Sequence, residues 1–272
     1  MNYSTEFKAL LNDFPTGYLG YGNPNAKILF LGQEPAIDLE TENIRFQAEI
    51  ASNAKQWASI VSHGIGYEAV NHQRVEFGIP LHPWANQKYQ VKSKLKKDDT
   101  LRGKEGTSQT WYKYQKLINT VFEQLYPEYK RTKRTDYLNF HQFAFHTDMS
   151  DLASKRHLLS DDSKQAVRKR TRLLSHAFFR HFPVVIAAVG HFPKDSYGNS
   201  YFEDVFDTVF IGDKGKETWM NLNVRLNGIS PTLLIHCPQI TSTSISDFFI
   251  ANLSEHIICF AKRYNMNLLP SE

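Results

Sequence analysis

Residues 27–36 read KILFLGQEPA, and the fold turns on them. Four successive apolar residues, Ile28 to Leu31, end at Gly32, and an amide, a carboxylate and a proline follow. A short, wholly apolar run reads as a strand buried on both faces, the pattern of a parallel sheet covered by helices. Proline has no N–H to give to a ladder, so the strand stops before Pro35. In open α/β sheets ligands settle beyond the carboxyl ends of strands, which makes Gln33 and Glu34 candidates for chemistry.

Working outward, PVVIAAVG (183–190) and PTLLIH (231–236) repeat the buried-strand pattern, and DYLNF (136–140) reads as a shorter strand. Between them, apolar residues recur at helical spacing. One such segment is 42–62, with Ile44, Ile50, Trp57 and Ile60. Others are 109–126, with Leu117, Ile118, Val121 and Phe122, and 162–181, with Val167, Leu173, Leu174 and Phe178. A last helix is expected from about Ser246 to Tyr264, capped by Ser244 or Ser246. Residues 205–226 read as a β-hairpin turning at DKGK (213–216). Strand alternating with helix predicts an α/β fold, a three-layer α/β/α sandwich around a central, mainly parallel sheet. No linker divides the chain, so residues 1–272 form one domain, with a long irregular insertion at about 64–106.

Two cysteines, Cys237 and Cys259, are too few for a four-cysteine zinc or iron–sulfur site or a disulfide framework. His141 and His146 have no supporting carboxylate pattern, and there is no phosphate-binding glycine loop or serine-hydrolase elbow. Neither metal nor cofactor is therefore expected. The N-terminus has no basic start followed by an apolar run, and no 18-residue apolar stretch occurs, so the expectation is a cytoplasmic monomer without membrane contact. A net charge of +4 permits a nucleic-acid partner without demanding one. Basic residues cluster at Lys92–Lys97, Lys130–Arg134 and Arg168–Arg172. Such runs are usually solvated faces, and they are also what a phosphate-tracking surface needs.

Three predicted strands deliver polar groups: Gln33 and Glu34, Asn139, and His236 ahead of Cys237 and Pro238. On one sheet edge, an amide, an acid and an imidazole make a working set for acid–base or electrostatic catalysis. In order and rough spacing these blocks resemble the uracil-DNA glycosylase superfamily. GNPNAKILFLGQEPA looks like its first motif, and Asn139 resembles the asparagine after its second strand. VVIAAVGHFP (184–193) resembles the third-strand segment, and LLIHCPQITS (233–242) the last motif. The likeness spans about residues 20–255 and implies a divergent member without an iron–sulfur cluster.

That resemblance implies a DNA glycosylase. It would flip uracil or a related damaged base out of single- or double-stranded DNA and hydrolyse its N-glycosidic bond in base excision repair. By resemblance, His236 hydrogen-bonds the departing base and Glu34, where relatives have Asp, orients water and stabilises the cationic sugar. Gln33, Pro35 and Ala36 line the base site; Ala36 stands where relatives have Tyr or Gly, the Tyr being the residue that blocks the thymine methyl. Asn139 reads the base if its neighbours fix the amide orientation. Phe140, Trp84 or Trp111 stacks on the base. Pro238, Ile240, Thr241 and Ser242 meet DNA, with Ile240 as a wedge. Plainer readings stand beside these: a histidine satisfying a backbone carbonyl, an asparagine capping a loop, a loop capping the last helix, a half-buried thiol at Cys237. The alternative functions are a catalytically inactive nucleic-acid-binding protein of the same fold, and a small-molecule enzyme using the same cleft.

Overall fold

The computed structural model describes residues 1–67, 79–83, 88–89, 107–153, 161–191, 201–213, 219–227, 231–240 and 245–271. Among these residues seven strands form one sheet: β1 (Tyr21–Gly22), β2 (Ile28–Gly32), β3 (Ala144–Asp148), β4 (Val184–Ala188), β5 (Val209–Asp213), β6 (Asn221–Arg225) and β7 (Thr232–Cys237). The spatial order is β1-β3-β2-β4-β7-β6-β5. The four central strands run parallel, with Ile28 beside both Ala144 and Val184, and Val184 beside Leu233. β1, β6 and β5 pair antiparallel at the flanks.

Helices cover both faces, which is why the central strands are buried at nearly every position and β2 and β4 are apolar up to their ends. Strand side chains alternate between faces. Ile28, Phe30, Ile186 and Ile235 enter one core, shared with α4 (Gln109–Leu125) and the last helix, α9 (Asp247–Arg263). Leu29, Leu31, Val185 and Leu234 enter the other. There they meet α1 (Thr5–Asp13), α3 (Asn53–Ser62), α6 (Asp161–Leu174), α7 (Ala177–Arg180) and α8 (Tyr201–Phe206). Each large apolar side chain so buried contributes about 1.5–3 kcal/mol. Serine side chains start three of these helices: Ser4, Ser108 and Ser246 accept from the backbone N–H of Phe7, Trp111 and Phe249.

Several boundaries differ from expectation, each for a local reason. Among the described residues the segment 136–140 is not a sheet strand; Tyr137 forms an isolated bridge with Lys88. The backbone N–H groups of Asn139 and Phe140 both donate to Gln115 Oε1, at 2.8 and 2.9 Å, instead of to a ladder. One turn of helix follows, α5 (Phe140–Phe143), and the strand comes after it, as β3. The predicted helix at 42–62 divides into α2 (Asn43–Phe46), a π-helical turn (Gln47–Ala51) and α3. The one at 162–181 divides into α6 and α7, where His176 Nδ1 accepts from Phe178 N. The hairpin begins only at Val209, after α8, and residues 214–218 of its turn lie outside the described residues. So does most of the 64–106 insertion, with Trp84 and Lys92–Lys97.

On the outer strand β5, Val209, Phe210 and Ile211 are 66%, 48% and 58% exposed. The amide of Phe210 donates to Glu203 Oε1 at 2.8 Å. Among the described residues no helix is long and apolar enough to cross a membrane.

Candidate functional site

The chain leaves β2 for β3 on one side and then returns past β2 to β4 on the other, so strand order reverses between β2 and β4. A crevice beyond the carboxyl ends is the expected ligand position at such a reversal. Gln33, just past β2, bridges it: its Nε2 donates to Val189 O, past β4, at 2.5 Å. Its Oε1 accepts from Gln239 Nε2, past β7. The ring of His236, in β7, makes a 2.6 Å hydrogen bond through Nε2 to Gly190 O. Gly190 turns with φ +64, a value that favours glycine. Three strand ends are thus tied side by side.

Around this edge, Glu34 is half-buried, Pro35 buried and Ala36 exposed. Pro238 is half-buried in the turn after β7. Trp219, leading into β6, sets its ring edge-on to His236 at 5.1 Å and parallel to His191 at 5.0 Å. Phe202 closes the inner side of the His236 ring at 4.8 Å. Cys237 is fully buried and burial pushes its thiol pKa up, so it is an inert packing group.

Several expected residues stand elsewhere. Asn139 precedes β3 and therefore sits at the amino end of the sheet, about a strand length, roughly 16 Å, from the crevice. Its Oδ1 accepts from Gln115 Nε2 at 2.8 Å and Thr132 Oγ1 at 2.7 Å, so its amide holds a loop. Phe140 is 1% exposed and its ring is covered by Trp111, Phe30 and Tyr114, which makes it core. Ile240 is 1% exposed and packs in the α4/α9 core, so it is no wedge. Thr241 and Ser242 lie outside the described residues. Lys130, Arg131, Lys133 and Arg134 are exposed and flank the buried Thr132 that bonds Asn139, which puts this run beside the amino ends. A cleft of about 510 Å³ also lies at that end, lined by Ser4, Lys8, Asn25, Lys27 and His181 among others, so volume alone does not mark the crevice.

In place of Asn139, the polar group at the carboxyl end of β3 is Asp148, register partner of Gly32. Asp148 is 4% exposed, and Tyr18 OH donates to its Oδ2 at 3.1 Å. His146 Nε2 stands 3.6 Å from Oδ1. Burial raises the Asp148 pKa and lowers that of His146; each partner opposes the other's shift. His146 Nδ1 is buried without a hydrogen-bond partner among the described residues. Tyr21 stacks on its ring at 5.9 Å, with Trp111 edge-on at 5.2 Å.

Arg170 underpins this corner. Far from lying on a solvated basic face, it is 4% exposed. Its Nε and Nη2 donate to Asp148 O at 3.2 and 3.0 Å, Nη2 to Thr147 Oγ1 at 2.6 Å, and Nη1 to Tyr18 O. The backbone ladder runs on past β3, with Met149 N donating to Gly32 O and Ser150 N to Gln33 O, both at 2.9 Å. Asp148 and Gln33 are therefore fixed in one frame. The sequence signal was weak: AFHTDMS has only two apolar residues before His146, Thr147 and Asp148, without the longer apolar run that marks LFLGQEP. Among the described residues, no group of three or more His, Cys, Asp or Glu side chains could hold a metal ion. No protein-family model matches the chain, and no curated protein matches it.

Proposed function

We propose that this protein is a DNA glycosylase of uracil-DNA glycosylase type, hydrolysing the N-glycosidic bond of uracil or a related base in DNA. One observation supports the reading: Gln33 and Glu34 follow β2 and His236 ends β7, at the carboxyl ends of strands beside the strand-order reversal, where the Gln239–Gln33–Val189 chain ties the strand ends together. Cleaving the bond puts positive charge on the sugar and negative charge on the base. Glu34 orients the attacking water and faces the sugar, and its charge stabilises the cation. The backbone N–H groups of the turn after Gly32 hold the base. His236 enters differently from expectation. With Nε2–H given to the Gly190 carbonyl, it can donate to a departing base only through a protonated Nδ1.

That bond also favours a second reading, a nucleic-acid-binding protein of this fold without catalysis, because the imidazole already satisfies a carbonyl. The two separate on oligonucleotides carrying uracil, hypoxanthine, xanthine or a thymine mismatch, single- and double-stranded, scored for abasic sites. Excision that falls at least a hundredfold in Glu34→Gln and in His236→Ala supports the enzyme, a loss of the size expected for one electrostatic contact. No abasic sites with protein in excess over DNA, together with salt-dependent DNA affinity, supports the binder.

A further inference from the structure

We infer that the cleft at the amino end of the sheet is a second binding site, and that it takes a small phosphate monoester whose organic part carries a hydroxyl or an amine. The inference does not rest on the glycosylase reading. Lys27, in the lining, immediately precedes β2, so this cleft lies at the end of the sheet opposite to Gln33 and His236.

Three observations lead to it. First, the cleft has the size of a ligand site. Its volume of about 510 Å³ falls within the roughly 300–1,000 Å³ of small-molecule pockets, more than a bare phosphate fills. The start of α1, the turn before β2 and the end of α7 wall it, and Phe178 and Phe182 give the lining an apolar part.

Second, its charges do not cancel. Glu6 faces His181, with Oε1 3.9 Å from Nδ1. Lys8 and Lys27 line the same cleft, and neither forms an ion pair among the described residues. With them stands the first turn of α1. Ser4 Oγ takes the N–H of Phe7 there, and the N–H groups of Thr5 and Glu6 have no carbonyl within the helix to meet. Those donors and the helix dipole favour an anion.

Third, the cleft holds an acceptor that the chain leaves unused. Asn25 is 7% exposed and lines the cleft. Its Nδ2 donates to Asn2 O at 2.8 Å and to Ser271 O at 3.4 Å, which fixes the amide, since turning it over would set oxygen against oxygen. Its Oδ1 has no hydrogen-bond partner among the described residues, whereas buried polar atoms are nearly always paired.

The two kinds of group ask for different partners. The lysines and the helix start match the oxygens of a phosphate. Asn25 Oδ1 only accepts, so it needs an O–H or N–H, which a fully ionised phosphate lacks and an attached sugar or amine supplies. One phosphorylated molecule meets both needs.

The test is calorimetric titration of ribose 5-phosphate, adenosine monophosphate, ribose, inorganic phosphate and a single-stranded oligonucleotide with hydroxyl ends into the full chain. Lys8→Met, Lys27→Met and Asn25→Leu are titrated alongside, with folding checked by circular dichroism. The expected result is saturable binding of at least one ester, with ribose and inorganic phosphate weaker by roughly tenfold or more. Each lysine variant should lose roughly tenfold, the size of one hydrogen bond to a charged group. Asn25→Leu should bring the affinity for the ester down to that for inorganic phosphate. Where Asn25→Leu fails to fold, the gap between ester and inorganic phosphate in the parent chain decides the point. The inference is overturned by no saturable binding of either ester, by inorganic phosphate binding as tightly as the esters, or by affinity indifferent to both lysines. It is overturned as well if the oligonucleotide, which carries only diesters, binds as tightly as the esters and loses as much in the lysine variants; the cleft is then a contact for the DNA backbone.

Discussion

Replacing Arg170 by methionine keeps the length and apolar bulk of the side chain and removes every donor. Arg170 is 4% exposed, so water does not replace what is lost. Tyr18 O, Asp148 O and Thr147 Oγ1 each lose a donor. A buried acceptor left unsatisfied costs about 1–3 kcal/mol, and breaking a buried charged network costs about 3–5 kcal/mol. We therefore expect Arg170→Met to destabilise the fold by about 3–5 kcal/mol, a large part of the 5–15 kcal/mol typical of a domain. Urea unfolding followed by tryptophan fluorescence measures this, with the midpoint moving at constant slope. Arg170→Lys, which keeps the charge but not the fork, should recover only part of the loss. A change below 1 kcal/mol in Arg170→Met would refute the claim that this guanidinium clamps the ends of β3 and the Tyr18 segment.

Two further outcomes follow from the same corner and its neighbour. Burial raises the Asp148 pKa above its ordinary 3.8, so the acid supports the fold fully below that value and its contribution is lost as pH rises through the folded-state value. The stability of Asp148→Asn relative to the parent should therefore grow as pH rises from about 4, as read from urea midpoints across pH; a constant difference would mean that Asp148 titrates as it does in the unfolded chain. Ile240→Ala should cost about 2–5 kcal/mol, as for a core side chain, and leave unchanged whatever DNA affinity the parent shows, whereas a wedge would show the reverse.

Strands β2, β4 and β7 were legible because both their faces are covered, and double coverage leaves an uninterrupted apolar run in sequence. β3 was not. It too is buried at every position, but His146, Thr147 and Asp148 occupy three of its five places, and their burial rests on Arg170 and Tyr18, distant in sequence. A polar residue reads as exposed until its partner is known. The same blind spot misplaced Asn139: DYLNF has the composition of a strand, yet Gln115, 24 residues earlier, takes its backbone N–H. Gln33, Glu34 and His236 were found where expected because their strands were; Asp148 was missed because its strand was.

Strand β5 has a consequence for the life of the protein in concentrated solution. Three consecutive apolar side chains on an outermost strand form a template onto which another extended chain can add. Glu203 occupies the outward amide of Phe210 and sets a negative charge where an incoming strand would have to supply a carbonyl. A charge at this place on an outer strand opposes cross-β growth, and neutralising Glu203 removes that charge without altering the Gln33 and His236 strand ends.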